Sequence, residues 1–123
     1  MDVSQISASA LAYLGDSVLE TLIRQSLVLK GFEKSAKLNK EALNYVTAVN
    51  QAKAFKNIEN ALTEDESGVF RRGKNSSHLN APKSASLLEY KIATGFETIF
   101  GYLKLMENET RIKELFRLAY PEL

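Results

Sequence analysis

Two acids stand where helical propensity alone does not put them. Asp16 falls inside LAYLGDSVLE and Glu97 inside ATGFETIFGYL, stretches apolar enough that most of each helix should be buried. A carboxylate in such a setting needs a partner, a cation or a raised pKa, because desolvating it alone is costly. On helical spacing, Asp16 points nearly opposite the stripe Leu11, Leu14, Val18 and Leu22. Glu97 likewise points away from Leu88, Ile92, Ile99 and Leu103. The flanking positions are mostly small: Ala12 beside Asp16, and Ala93, Thr94 and Gly101 beside Glu97, which leaves room for another group to approach. Gly15, mid-helix, costs up to ~1 kcal/mol against alanine and so marks close packing or a functional approach. An acid on an amphipathic helix is ordinarily just solvated. The apolar context sets these two apart.

Composition narrows the chemistry. The chain has no cysteine and a single histidine, His78, which excludes thiolate sites and disulfides and argues against an imidazole zinc site. Any metal here is held by oxygen, which points to magnesium or a similar hard cation. Asp16 and Glu97 are the candidate ligands, and Glu20, one turn beyond Asp16, is a weaker candidate acting through water. The opening MDVSQISAS lacks the basic start and apolar run of a signal peptide. No stretch approaches the ~18 apolar residues of a membrane span. The expectation is a soluble, cytoplasmic protein with no membrane partner.

Net charge is only +1, but its distribution is uneven. Residues 71–83, RRGKNSSHLNAPK, carry Arg71, Arg72, Lys74 and Lys83 and no acid, so the remaining 12 basic residues face 15 acids elsewhere. A local excess of this kind suits phosphate contacts. A merely solvated loop tolerates it equally, and charge alone leaves both open.

The elements that must position these residues are helices. Leu11, Leu14, Val18 and Leu22 predict a helix from Ala8 to Lys30, stopped by Gly31. Leu38, Ala42, Val46 and Val49 predict a second, and Ala54, Phe55, Ile58 and Leu62 a shorter third. Thr63 and Glu66 form a capping box that opens a helix running to about Arg72. Ser86 and Glu89 repeat that signature ahead of the longest regular stripe, Leu88 to Leu103. Asn108 caps a last helix that Pro121 ends. Strand signals are nearly absent, so the chain reads as one all-α domain, with residues 73–85 as its one long irregular segment.

At this point the sequence resembles a known family. LAYLGDSVLE is similar to the signature helix of the ribonuclease III catalytic domain, usually E-x-L-E-F-L-G-D-[AS]-V-L-E. ATGFETIFGYLKL is similar to that family's second acidic segment, usually A-D-T-F-E-A-L-[IL]-G-A-[IL]-Y-L. With LNKEALNYVTAVNQA and RRGKN between and around them, the chain resembles the short stand-alone form, Mini-ribonuclease III. The match covers almost the whole of residues 1–123, and only six residues follow Arg117, too few for a double-stranded-RNA-binding domain.

The resemblance implies a helical bundle forming a two-fold homodimer, with one active site per protomer. It implies a magnesium-dependent endoribonuclease that cuts double-stranded RNA, leaving 5′-phosphates and short 3′ overhangs. The signature aspartate falls on Asp16 and the second-segment glutamate on Glu97, as metal-holding catalytic residues. Two other family acids are replaced, by Ala12 and Thr94, which favours one well-held cation over two. Arg71, Arg72, Lys74, Asn75 and Lys83 become the candidate RNA-contacting residues, standing in for an accessory domain. The implied substrate is the paired ends of precursor 23S ribosomal RNA, with precursor ribosomal particles as possible partners. The alternatives are a catalytically degenerate member of the fold serving as an RNA-binding or ribosomal structural protein, and a helical interaction module with no nucleic acid partner. Degenerate relatives usually lose the signature acids, and this chain keeps both.

Overall fold

The computed structural model describes residues 2–76 and 85–123; His78 and Lys83 lie outside the described residues. The elements in order are α1 (Ala8–Leu29), α2 (Ser35–Val46), α3 (Ala48–Lys56), α4 (Glu64–Ser76), α5 (Leu87–Leu105) and α6 (Glu109–Ala119). Short 3-10 turns cover Val3–Gln5 and Glu59–Ala61, and no strand occurs among the described residues. The all-α expectation holds.

Local hydrogen bonds account for the boundaries. The Ser7 hydroxyl accepts from the Ala10 amide at 3.1 Å and starts α1. At its far end Gly31 adopts φ 100°, and the Phe32 amide reaches back to the Leu27 carbonyl at 3.3 Å, closing the last turn. Both capping boxes form. Thr63 and Glu66 exchange bonds of 2.8 and 3.1 Å ahead of α4, and Ser86 and Glu89 exchange bonds of 2.9 and 3.1 Å ahead of α5. Asn108 accepts from the Arg111 amide at 3.2 Å and starts α6.

Two boundaries differ from the periodicity. The stripe from Leu38 to Val49 is broken at Thr47, whose backbone is extended and whose hydroxyl accepts from the Asn50 amide at 3.4 Å. A threonine offers its own hydroxyl to nearby backbone donors, and here that local bond makes it the cap of a new helix. The helix expected to end near Arg72 runs on to Ser76, taking Lys74 and Asn75 with it. Gly73 is the reason: a Cβ there would meet the Thr98 Oγ1 at 2.2 Å, so its absence lets α4 stay helical while lying against α5.

The core forms around α5. Phe96, Ile99, Phe100 and Leu103 are buried against Leu19, Ile23 and Leu27 of α1, Phe55 and Ile58, and Ile112 and Leu115 of α6. Burying each such side chain contributes about 1.5–3 kcal/mol. Helix α5 is covered on nearly all sides through its middle, whereas Leu88, the first residue of its sequence stripe, is 57% exposed. In α1 the buried face is Leu11, Ala12, Gly15, Leu19, Ile23 and Leu27, while Leu14, Val18 and Leu22 are half-buried. Asp16 therefore sits at the margin of the buried face, not opposite it. The two helices approach most closely over the smallest residues, which a stripe of large side chains does not reveal.

Candidate active site

The crossing of α1 and α5 makes the site. A Cβ on Gly15 would fall 1.7 Å from the Glu97 carbonyl oxygen, and one on Gly101 would fall 1.9 Å from the Leu11 carbonyl oxygen. Each helix thus presents a glycine to the other's backbone, and the helices touch main chain to main chain. Asp16, next to Gly15, is brought against Glu97 by that contact.

The two carboxyls are unequal. Asp16 is exposed and Glu97 is half-buried. Burial, the Asp16 charge beside it and a hydrogen bond with Asp16 push the Glu97 carboxyl up to about 9, while a hydrogen bond from Gln51 acts in the opposite direction. Two acids sharing one site cannot both ionise cheaply without a cation between or beside them. They open into a cleft of about 230 Å³ whose walls also include Tyr13, Ser76, Tyr90 and Thr94.

Among the described residues no group of three or more His, Cys, Asp or Glu side chains comes together. Among the described residues that line the cleft, the carboxylates are Asp16 and Glu97. That set fits a hard divalent cation of the magnesium type, which keeps several waters and takes only one or two protein carboxylates. Glu20 is not part of it. It pairs with Arg24 at 3.3 Å and lines a different groove, between α1 and α2.

The basic candidates lie on or beyond α4. Arg71 and Arg72 are exposed, Lys74 is half-buried and Asn75 is exposed. Arg72 donates to the Ile6 carbonyl at 2.6 Å, tying the N-terminal turn to α4. Ser76, two residues after Lys74, lines the acidic cleft, so the end of α4 reaches the rim of the site. Lys83 lies outside the described residues.

Sequence reasoning missed Gln51. It is 4% exposed and its side chain hydrogen-bonds Glu97. A signal was available, since Gln51 falls four and seven residues before the buried Phe55 and Ile58, a polar residue on a core-facing stripe.

Residues 9–108, a span that holds both acids, match the ribonuclease III domain. The chain belongs to the ribonuclease III family. It is 41% identical over 117 residues to the Mini-ribonuclease 3 of Streptococcus pneumoniae, covering 94% of this chain and 91% of that protein. To the Mini-ribonuclease 3 of Symbiobacterium thermophilum it is 42% identical over 109 residues, covering 89% and 84%. A crystal structure of a protein from Fusobacterium nucleatum superposes with a TM-score of 0.87 at 33% identity, covering 99% of this chain and 98% of that one. The resemblance read from the two acidic segments is thereby supported across the chain. As a ribonuclease III family member with relatives of this name, it is an endoribonuclease. Ala12 and Thr94, where the family pattern read from the sequence carries acids, both line the cleft.

Proposed function

We propose that this endoribonuclease is magnesium-dependent and hydrolyses double-stranded RNA, with Asp16 and Glu97 holding the cation. The observation that carries the reading is the meeting of these two carboxyls in one cleft, the inner one pushed up by burial and by the Asp16 charge beside it. When bound, such an ion supplies Lewis acidity, lowering the pKa of a coordinated water and offsetting charge that develops on a phosphoryl oxygen. Glu97 would have to be ionised to hold such a cation from the inner side of the cleft. Asp16, exposed and adjacent, supplies the second charge from the solvent side.

The cleft's size bears on the substrate. At about 230 Å³ it is smaller than pockets that enclose whole ligands, and it suits a backbone phosphate presented by a larger surface. A-form RNA is read in this way, by shape and backbone, because its major groove is too deep and narrow for side chains. Lys74 and Asn75, near the cleft rim on α4, with Arg71 and Lys83, are the proposed RNA contacts; Arg72 is proposed too, though its side chain already holds Ile6.

A two-fold homodimer is part of the proposal. Val28, Leu29 and Leu43 are 57%, 78% and 58% exposed, and α2 buries none of its residues within the protomer. A groove of about 440 Å³ between α1 and α2 is lined by Leu27, Val28, Leu38, Leu43 and Val46. Apolar surface of this kind is suited to a second copy. Among the described residues no helix is long and apolar enough to cross a membrane. A cytoplasmic location, the ends of precursor 23S ribosomal RNA as substrate and precursor ribosomal particles as partners complete the proposal, on the strength of the family resemblance. Retention of both acids in one cleft weighs against a degenerate, purely structural member. The test is incubation with a synthetic RNA duplex and its separate strands: metal-dependent cleavage of the duplex alone supports the reading, and equal cutting of single strands defeats it.

A further inference from the structure

We infer that Tyr90 is a substrate-binding residue: its phenol donates a hydrogen bond to an oxygen of the RNA backbone, at a nucleotide neighbouring the one whose phosphate meets the acids. The inference rests on duplex RNA being the substrate of the cleft.

The five tyrosines fall into two groups. Tyr120 belongs to the buried core, Tyr45 and Tyr102 pack against it, and the Tyr120 hydroxyl donates to the Tyr45 carbonyl at 3.1 Å. Tyr13 and Tyr90 pack against neither core cluster, and both line the acidic cleft. An amphipathic ring left out of the core in this way is suited to meeting a ligand, with one end apolar and the other a donor.

The cleft needs such donors. Among the described residues that line it there is no lysine or arginine; apart from the two acids and Ala12, all carry hydroxyls: Ser9, Tyr13, Ser76, Tyr90 and Thr94. An RNA strand is an anion that must approach two carboxylates. A lysine or arginine inside the cleft would pair with those acids and compete with the cation, whereas a neutral hydroxyl holds the strand and leaves the acids free. Two of the hydroxyls already serve their own helices: Thr94 donates to the Tyr90 carbonyl and Ser76 to the Gly73 carbonyl, each at 3.0 Å. Of the other three, Ser9 and Tyr13 are exposed, Tyr13 at 83%, so the protein does little to hold them. Tyr90 is half-buried, and among the described residues its phenol makes no hydrogen bond.

Register sets the place of the contact. Tyr90, Thr94 and Glu97 are spaced four and three residues apart and so share one face of α5. Seven residues separate Tyr90 from Glu97, roughly 10 Å along the helix axis. Helical side chains lean towards the N-terminus, which carries the phenol away from the acids. Tyr90 therefore meets the strand beside the cut and takes no part in the bond change.

The experiment compares wild type with Tyr90→Phe, which removes only the hydroxyl. At saturating magnesium, KM for duplex RNA should rise about three- to tenfold, the effect of one hydrogen bond, with kcat within about twofold. The salt slope of duplex binding should stay at its wild-type value, because a neutral donor releases no counterion. A packing role would instead lower the melting temperature and leave the KM of the folded protein alone. The same comparison on a duplex with 2′-deoxy nucleotides flanking the cut names the acceptor. A penalty that disappears assigns it to the 2′-hydroxyl, and one that persists assigns it to a phosphate oxygen. A wild-type KM in Tyr90→Phe, or a raised KM with a flattened salt slope, overturns the inference, while duplex cleavage by the wild type keeps the underlying reading in place. Failure of the wild type to bind or cut duplex RNA removes both.

Discussion

Gly15 and Glu97 touch through their backbones, and this contact places the catalytic candidates. With a Cβ on Gly15 only 1.7 Å from the Glu97 carbonyl oxygen, α1 cannot carry any other residue there without moving off α5. The displacement would separate Asp16 from Glu97. Gly15→Ala should therefore destabilise the protein by about 3 kcal/mol, the upper part of the overpacking range. Cleavage should drop further than the folded fraction does. Thermal unfolding and single-turnover cleavage, measured on the same preparation, check both parts.

Glu97→Gln should separate stability from activity. The Glu97 carboxyl is raised to about 9 in the fold, against roughly 4.3 for an unfolded glutamate. Between those values the folded protein binds the extra proton, so cation-free stability falls as pH rises through that window. Glutamine mimics the protonated acid and removes this dependence. Melting temperatures in a chelator, from pH 5.5 to 9, should decline for wild type and stay flatter for the variant. Parallel curves would show that Glu97 is not the titrating group.

Cation binding should release a proton near neutral pH. The proton comes from Glu97, whose buried carboxyl gives it up when positive charge arrives. Magnesium should consequently bind more tightly as pH rises. Calorimetry in two buffers of different ionisation enthalpy measures the number released; a heat independent of buffer would contradict the expectation.

Much of this was legible beforehand, for identifiable reasons. Capping residues such as Ser86 and Glu89 act through bonds three residues long, so the sequence states them directly. Asp16 and Glu97 stood out because charge is rare in stretches so apolar. The buried face of α1 was misjudged, since its tightest contact is made by Ala12 and Gly15, which carry little hydrophobic signal. Gln51 was missed because its partner lies 46 residues away, on another helix. The extension of α4 past Arg72 depends on Gly73 fitting against Thr98, a fact of packing rather than of local preference.

The basic residues should differ in what their loss does. Lys74→Ala should weaken duplex binding regardless of sequence and lower the salt slope by about one, the signature of one lost phosphate contact. Its kcat should change little. Arg72→Ala should additionally lower stability, because it removes the bond to the Ile6 carbonyl. Binding isotherms over a range of salt concentrations, with melting curves alongside, separate the two. A wild-type salt slope in Lys74→Ala would place RNA docking elsewhere.

Asp16 and Glu97 are proposed to hold together the cation on which cleavage of duplex RNA depends. This proposal is tested most directly by incubating a long RNA duplex with wild type and with Asp16→Asn, each with and without magnesium, and sequencing the product ends. The expected result is 5′-phosphate ends from wild type with magnesium only, and a loss well beyond tenfold, more than ~1.4 kcal/mol of barrier, in the folded variant. Cleavage by Asp16→Asn within about tenfold of wild type, or by wild type in a chelator, would contradict it.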